Sequence, residues 1–338
     1  MSKLTMKEVA THAGVALSSV SRVLNSHDDV SEKMRDKVLN SCKELGYEPN
    51  LLASSLRSGT TRTVGFLISD ISNPLYGDIA WGAERTLDLS GYAMILANSE
   101  SDPHRDIEMI RLLKQRRVDG LILTVADDQS EEIYHELSKI QIPIVLIDRE
   151  VSQMPELSAI LSDHSNGMKI AVEHLIKMNH KKIALITGPD SLRVNRERSI
   201  GFKAAFDASE VDYDDSLSHH VRYTPEEGMY VTNSLLESPE PPSAIICGGN
   251  LLLLGVLRAI KQKNLKVGED ISIISCDEVP LTELHSPPIS VIARDTAKMG
   301  ESAASILVNQ MNSPNPISRI IELPTTLHIR NSIKHLGK

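Results

Sequence analysis

The chain has 338 residues, 41% hydrophobic and 24% charged, with a net charge of −9. That length allows two or three domains with sizeable cores, and no run of about 18 apolar residues offers a transmembrane helix. Cys42, Cys247 and Cys276 lie far apart in no metal-ligand spacing, and the segment Met1 to Glu8 lacks an apolar signal region, so a cytoplasmic protein with reduced thiols and no cofactor is expected.

Charge is unevenly spread. Residues 1–60 hold eight Lys/Arg and seven Asp/Glu, against 28 and 38 in the remainder, so only the N-terminal part can approach a polyanion without strong repulsion. Thr5-Met6-Lys7-Glu8 fits a capping box, and the helix it opens runs through Val9 and Ala10 to Gly14. A second helix carries Leu17, Val20 and Leu24 on one face and Ser18, Ser19, Ser21, Arg22 and Asn25 on the other. Ser31 is positioned to cap a third, with Met34, Val38, Leu39, Cys42 and Leu45 as its apolar positions and Gly46 at its end. Pro49 then breaks the chain. Asn50 to Arg57 spans two helical turns, too few to be stable in water unless something packs against them.

Helix, glycine turn and helix make a helix-turn-helix pattern. Placed in the major groove, the second helix offers Ser19, Ser21 and Asn25 to phosphates and Arg22 as a bidentate donor to guanine. Leu17 and Ser18, at the helix start, face base edges, Leu17 suiting a thymine methyl. Periodicity alone describes a small helical bundle with a solvated polar face equally well.

From Thr63 strands alternate with helices. Apolar runs at 64–68, 93–96, 120–125 and 143–147 are followed by a second series at 183–186, 244–247 and 271–274. Continuous apolar strands spaced by helices predict parallel sheets covered on both faces, here in two similar lobes. Ligands bind outside the carboxyl ends of such strands, which two facing lobes bring into one cleft. The chain carries no Walker A loop, GxSxG elbow or HExxH pair, and Gly248-Gly249 is too short a nucleotide signal, so no enzyme is expected.

The segments Thr5–Ala10, Ala13–Val15, Val20–Asn25, Val30-Ser31, Lys43–Asn50 and Ala53–Leu56 resemble the DNA-binding module of the lactose-repressor (LacI) family. The likeness continues through Asp70–Pro74, Val118–Ile122, Ile147–Arg149, Gly201-Phe202 and Leu327–Arg330. It implies an α/β chain. A helix-turn-helix domain at 1–48 and a hinge helix with linker at 49–61 precede a periplasmic-binding-protein-like core at 62–338. The core's first lobe is expected at about 62–161 and 291–322, its second at about 162–290 and 323–338.

The resemblance also implies roles. Leu17, Ser18 and Arg22 would read bases, while Thr5, Ser19, Ser21, Asn25, Ser31 and Tyr47 would contact phosphates. Asn50 would begin the hinge helix carrying Ala53 and Leu56, with Leu56 wedged into a central minor-groove step. Leu75, Tyr76, Arg149, Asp163, Arg198, Tyr223, Asn250 and Asp277 match effector positions, and Trp81 a dimer face. Each has a plainer alternative as an ion-paired, capping or rim residue. No leucine heptad at the C-terminus supports a tetramer. The implied function is repression by a homodimer on a pseudo-palindromic operator of double-stranded DNA. A small effector, a sugar or related metabolite, would control operator affinity. The alternatives are a catabolite-control-type regulator answering to a phosphoprotein and a non-enzymatic small-ligand binding protein.

Overall fold

The computed structural model describes residues 4–24, 29–47 and 59–337. Asn25, Asn50, Ala53 and Leu56, with the expected hinge helix over 50–57, lie outside them. The chain forms two compact units, Met1–Thr61 and Arg62–Lys338.

In the first unit, α1 (Met6–Ala13), α2 (Leu17–Leu24) and α3 (Glu32–Leu45) close over Val9, Ala13, Val20, Val23, Val38 and Cys42. The capping box is present: Thr5 N donates to Glu8 Oε2 at 2.7 Å, and Glu8 N to Thr5 Oγ1 at 3.4 Å. Gly14 ends α1 at φ 57°, a left-handed conformation that a Cβ would disfavour. Two expectations need correction. Ser31 occupies the cap position of α3, but its side chain makes no capping hydrogen bond. Leu39 is about half exposed, because it falls between the buried positions Val38 and Cys42 and points off the α3 stripe.

The second unit contains two six-stranded sheets. The first lobe is built from β1 (Thr63–Ile68), α4 (Pro74–Leu89), β2 (Ala93–Asn98), α5 (Pro103–Gln115), β3 (Gly120–Leu123), α6 (Glu131–Leu137), β4 (Ile144–Ile147) and β5 (Ser158–Ser162). The second has α7 (His164–Lys177), β6 (Ile183–Thr187), α8 (Arg193–Asp207), β7 (Ser218–His220), α9 (Pro225–Glu237), β8 (Ala244–Cys247), α10 (Asn250–Gln262), β9 (Ser272–Cys276), α11 (Pro280–Leu284) and β10 (Ser290–Ala293). The chain then returns with α12 (Thr296–Asn312) and β11 (Ile320–Leu323) before ending beside the second lobe with β12 (Thr326–His328). Strand orders are β11-β5-β4-β3-β1-β2 and β12-β10-β9-β8-β6-β7. All pairings are parallel except that of β12 with β10. The lobes therefore exchange chain three times. Because β10 pairs with β9 and β11 with β5, the second and third exchanges fall after 293 and 323 rather than after the expected 290 and 322.

Central strands are buried on both faces, as their unbroken apolar runs require: β3, β4, β6, β8 and β9 have no exposed residue. In the first lobe, α4 and α12 touch backbone to backbone through two glycines. A Cβ on Gly300 would run into the carbonyl oxygen of Ile79, and one on Gly82 into that of Ala297. Gly300→Ala is expected to destabilise the protein by about 1–3 kcal/mol through forced separation of these helices. A urea midpoint equal to the parent's would contradict that packing account.

Candidate effector cleft and DNA-facing helix

The carboxyl ends of the parallel strands in both lobes meet at a cleft. Strand ends and the loops after them deliver its charged groups: Asp70 after β1, Asp148 and Arg149 after β4, Asp277 after β9, and Arg294 after β10. Arg198 and Tyr223 join them from α8 and the loop before α9. Three lining arginines face three lining aspartates, so the cleft is close to neutral. Leu75, Tyr76, Ile79, Ile147, Leu192, Val194 and Leu251 supply apolar walls.

At the cleft floor Arg294 bridges the lobes. Its Nε donates to Asp277 Oδ1 at 2.6 Å, and it also pairs with Asp148 of the first lobe. All three side chains are at most 6% exposed. Burial works against ionising Asp148 and Asp277, but Arg294 acting together with His164, and with Arg149 at Asp148 and Arg198 at Asp277, outweighs it and holds both carboxyls below their ordinary range. His164 Nε2 lies 3.5 Å from Asp148 Oδ2. Burial pushes its pKa down to about 4, with Arg198 and Arg294 adding to the effect against the pull of Asp148. Arg198 donates from Nη1 to the Tyr223 hydroxyl at 2.8 Å and to the Gly248 carbonyl. Its Nη2 lies 3.9 Å from Asp277 Oδ2. Its Nε is buried without a hydrogen-bond partner.

Six of the expected effector residues thus line one cavity: Leu75, Tyr76, Arg149, Arg198, Tyr223 and Asp277. Arg149 is tied to its own lobe, Nε donating to the Val125 carbonyl at 2.5 Å. Asp163 is not in the lining. It caps α7, accepting from Asn166 N at 3.1 Å, where the chain first changes lobe. Asn250 is also outside the lining. From the start of α10 its amide donates to Asn73 Oδ1 of the first lobe at 2.9 Å. Sequence reasoning missed Arg294, Asp148 and His164. The carboxyl-end rule applied to β4 and β10 points to the first two; His164 has no local signal.

In the first unit, α2 buries Val20 and Val23 and turns Leu17, Ser18 and Arg22 outward. Leu17, expected on the apolar face with Val20 and Leu24, is instead 50% exposed, so the buried stripe of α2 runs through Val20 and Val23. Arg22 pairs with Asp29; both side chains are half exposed, so the pair is weak and easily exchanged. The Thr5 hydroxyl is engaged by Glu8 at 2.9 Å, Ser19 and Ser21 are half-buried, and Tyr47 packs against the unit's core. Trp81 on α4 is 53% exposed, with the Arg85 guanidinium 4.8 Å above its ring. Among the described residues no helix is long and apolar enough to cross a membrane.

Residues 5–50 match the family model described as bacterial regulatory proteins, lacI family, and residues 172–333 match a periplasmic binding protein-like domain. The HTH-type transcriptional regulator DegA of Bacillus subtilis (strain 168) is 31% identical over 337 residues, with 99% of each chain covered. The ribose operon repressor of Escherichia coli (strain K12) is 33% identical over 331 residues, covering 97% of this chain and 99% of that protein. Among solved structures, the lac repressor dimer bound to operator and the anti-inducer ONPF matches with a TM-score of 0.85 at 26% identity, covering 98% of this chain and 99% of that one. With a helix-turn-helix unit ahead of a two-lobed core, and relatives aligned along nearly its whole length, this chain belongs to the lacI family of bacterial regulatory proteins.

Proposed function

We propose that the protein is a sequence-specific transcriptional repressor that works in the cytoplasm as a homodimer on a pseudo-palindromic operator. The observation that carries this reading is the outer face of α2, where Leu17, Ser18 and Arg22 stand opposite the buried Val20 and Val23. A helix anchored on one side and presenting a long bidentate donor with short polar neighbours fits the major groove. Ser19, Ser21, Ser31 and Tyr47 are assigned to phosphates, and Trp81 to the contact between protomers. Operator affinity is set by a small effector in the lobe cleft. The near-neutral lining suits a neutral polyhydroxylated molecule, a sugar or related metabolite, held by Arg198, Asp277 and Arg149 against apolar walls.

Operator selection from a random duplex pool tests the reading. The wild-type protein is expected to enrich a two-fold symmetric site, with affinity that falls steeply with salt. Arg22→Ala should then lose about 1–3 kcal/mol of discrimination at one base pair per half-site while keeping non-specific binding. Enrichment of no symmetric site overturns the function. Unchanged discrimination in Arg22→Ala overturns the role of that residue.

A further inference from the structure

We propose that Asp128 of the first lobe is a positioning residue that caps helix α8 of the second lobe across the cleft, and that this cap sets how readily the lobes part. The inference goes beyond the reading above, since it holds whatever the effector is.

Helix α8 begins without a cap of its own. Its N-cap residue is Leu192, whose side chain cannot accept a hydrogen bond. Asp128, on the loop between β3 and α6, fills that role from the other lobe. Its Oδ2 accepts from Arg193 N at 2.8 Å, and its Oδ1 from Arg196 Nη1 at 3.0 Å. Its own backbone N–H donates to the Ser191 carbonyl at 3.2 Å. The carboxylate is fully buried in this arrangement. A carboxylate at a helix N-terminus is stabilised by both the free N–H groups and the helix dipole. Parting the lobes would strip Asp128 of all three contacts and leave the first turn of α8 uncapped.

Two exposed carboxylates of the first lobe reinforce the latch. Arg193, itself mostly buried, places Nε 3.3 Å from Glu150 and Nη2 3.1 Å from Glu322, whose carboxylates are half exposed and so partly screened. The loop carrying Asp128 is itself tied to the cleft. Arg149, which lines the cavity, holds the Val125 carbonyl, and Ala126 N donates to the buried Asp106 Oδ2 at 2.6 Å. Helix α8 in turn carries Arg198. A molecule touching Arg149 and Arg198 would therefore pull on both halves of the latch, which is the differential contact that a shift between lobe arrangements requires.

The test is an interlobe distance measured by double electron–electron resonance on the full chain, without DNA or ligand. Spin labels go on Ser138→Cys in the first lobe and Asp207→Cys in the second, both exposed, while the three native cysteines are buried. Asp128→Ala is expected to raise the population at longer distance about fivefold, the equivalent of one lost cap. Asp128→Asn should fall between it and the parent, because the amide oxygen still accepts from Arg193 N but no longer pairs with Arg196. Arg193→Ala and Arg193→Pro supply a second route should Asp128→Ala fail to fold. Proline is favoured at the first position of a helix and Leu192 is already extended, so Arg193→Pro removes the capped N–H without breaking α8. It should open the cleft further than Arg193→Ala, which loses the two side-chain pairs but keeps the capped N–H. An Asp128→Ala distribution identical to the parent's overturns the proposal, as do indistinguishable Arg193→Ala and Arg193→Pro distributions.

Discussion

Replacing Arg294 with alanine is expected to lower the unfolding free energy by about 3–5 kcal/mol, measured by urea denaturation at pH 7. Asp148 and Asp277 would stay buried, one in each lobe, without the cation that neutralises both. The remaining cations compensate little: Arg149 is turned to the Val125 and Asp148 carbonyls, Arg198 lies 3.9 Å from Asp277, and His164 is neutral at this pH. The pH dependence separates this account from simple loss of packing. In the parent, both carboxyls have folded pKa values below their unfolded ones, so their stabilisation is complete above about pH 4 and fades as the pH falls through the folded values. His164, lowered to about 4, adds a loss of stability between its ordinary 6.5 and that value. Without Arg294, burial would raise the two carboxyls above their unfolded values. The penalty of the substitution should then shrink between pH 7 and pH 5, as one or both take up a proton. A penalty constant across that range would assign the loss to packing instead.

Arg198→Ala should weaken effector binding about ten- to hundredfold while leaving operator binding in the absence of effector near the parent level. The Nη2 beside Asp277 is the donor a hydroxylated ligand would meet. Hydrogen bonds from a guanidinium in a desolvated site are among the strong ones. Arg198→Lys keeps the charge but not the planar fork, and should recover only part of the affinity. Calorimetric titration with a panel of neutral monosaccharides measures this. A sugar that binds both variants as it binds the parent would remove Arg198 from the site.

Much of this architecture is legible in the sequence, for identifiable reasons. The Thr5–Glu8 box, the glycines after α1 and α3, and the buried strands are local patterns, and local patterns act wherever the chain goes. Leu39 misled because an apolar residue at helical spacing need not fall on the buried stripe. In the cleft, Arg198 and Asp277 stood out through family likeness. Arg294 and Asp148 did not, because their meaning lies in facing each other across 146 residues of chain. Asp128 was silent for the same reason. A carboxylate near a helix start is a familiar signal, but here the helix belongs to the other lobe.

The threefold exchange of chain between lobes has a consequence for biosynthesis. Neither sheet is complete when its first strands leave the ribosome. The first lobe waits for α12 and β11, the second for β12, all of which follow residue 295. Nascent protein must therefore carry two unfinished halves until these elements emerge, with apolar edges open to chaperones. A chain cut before Thr296 would leave both halves incomplete at once.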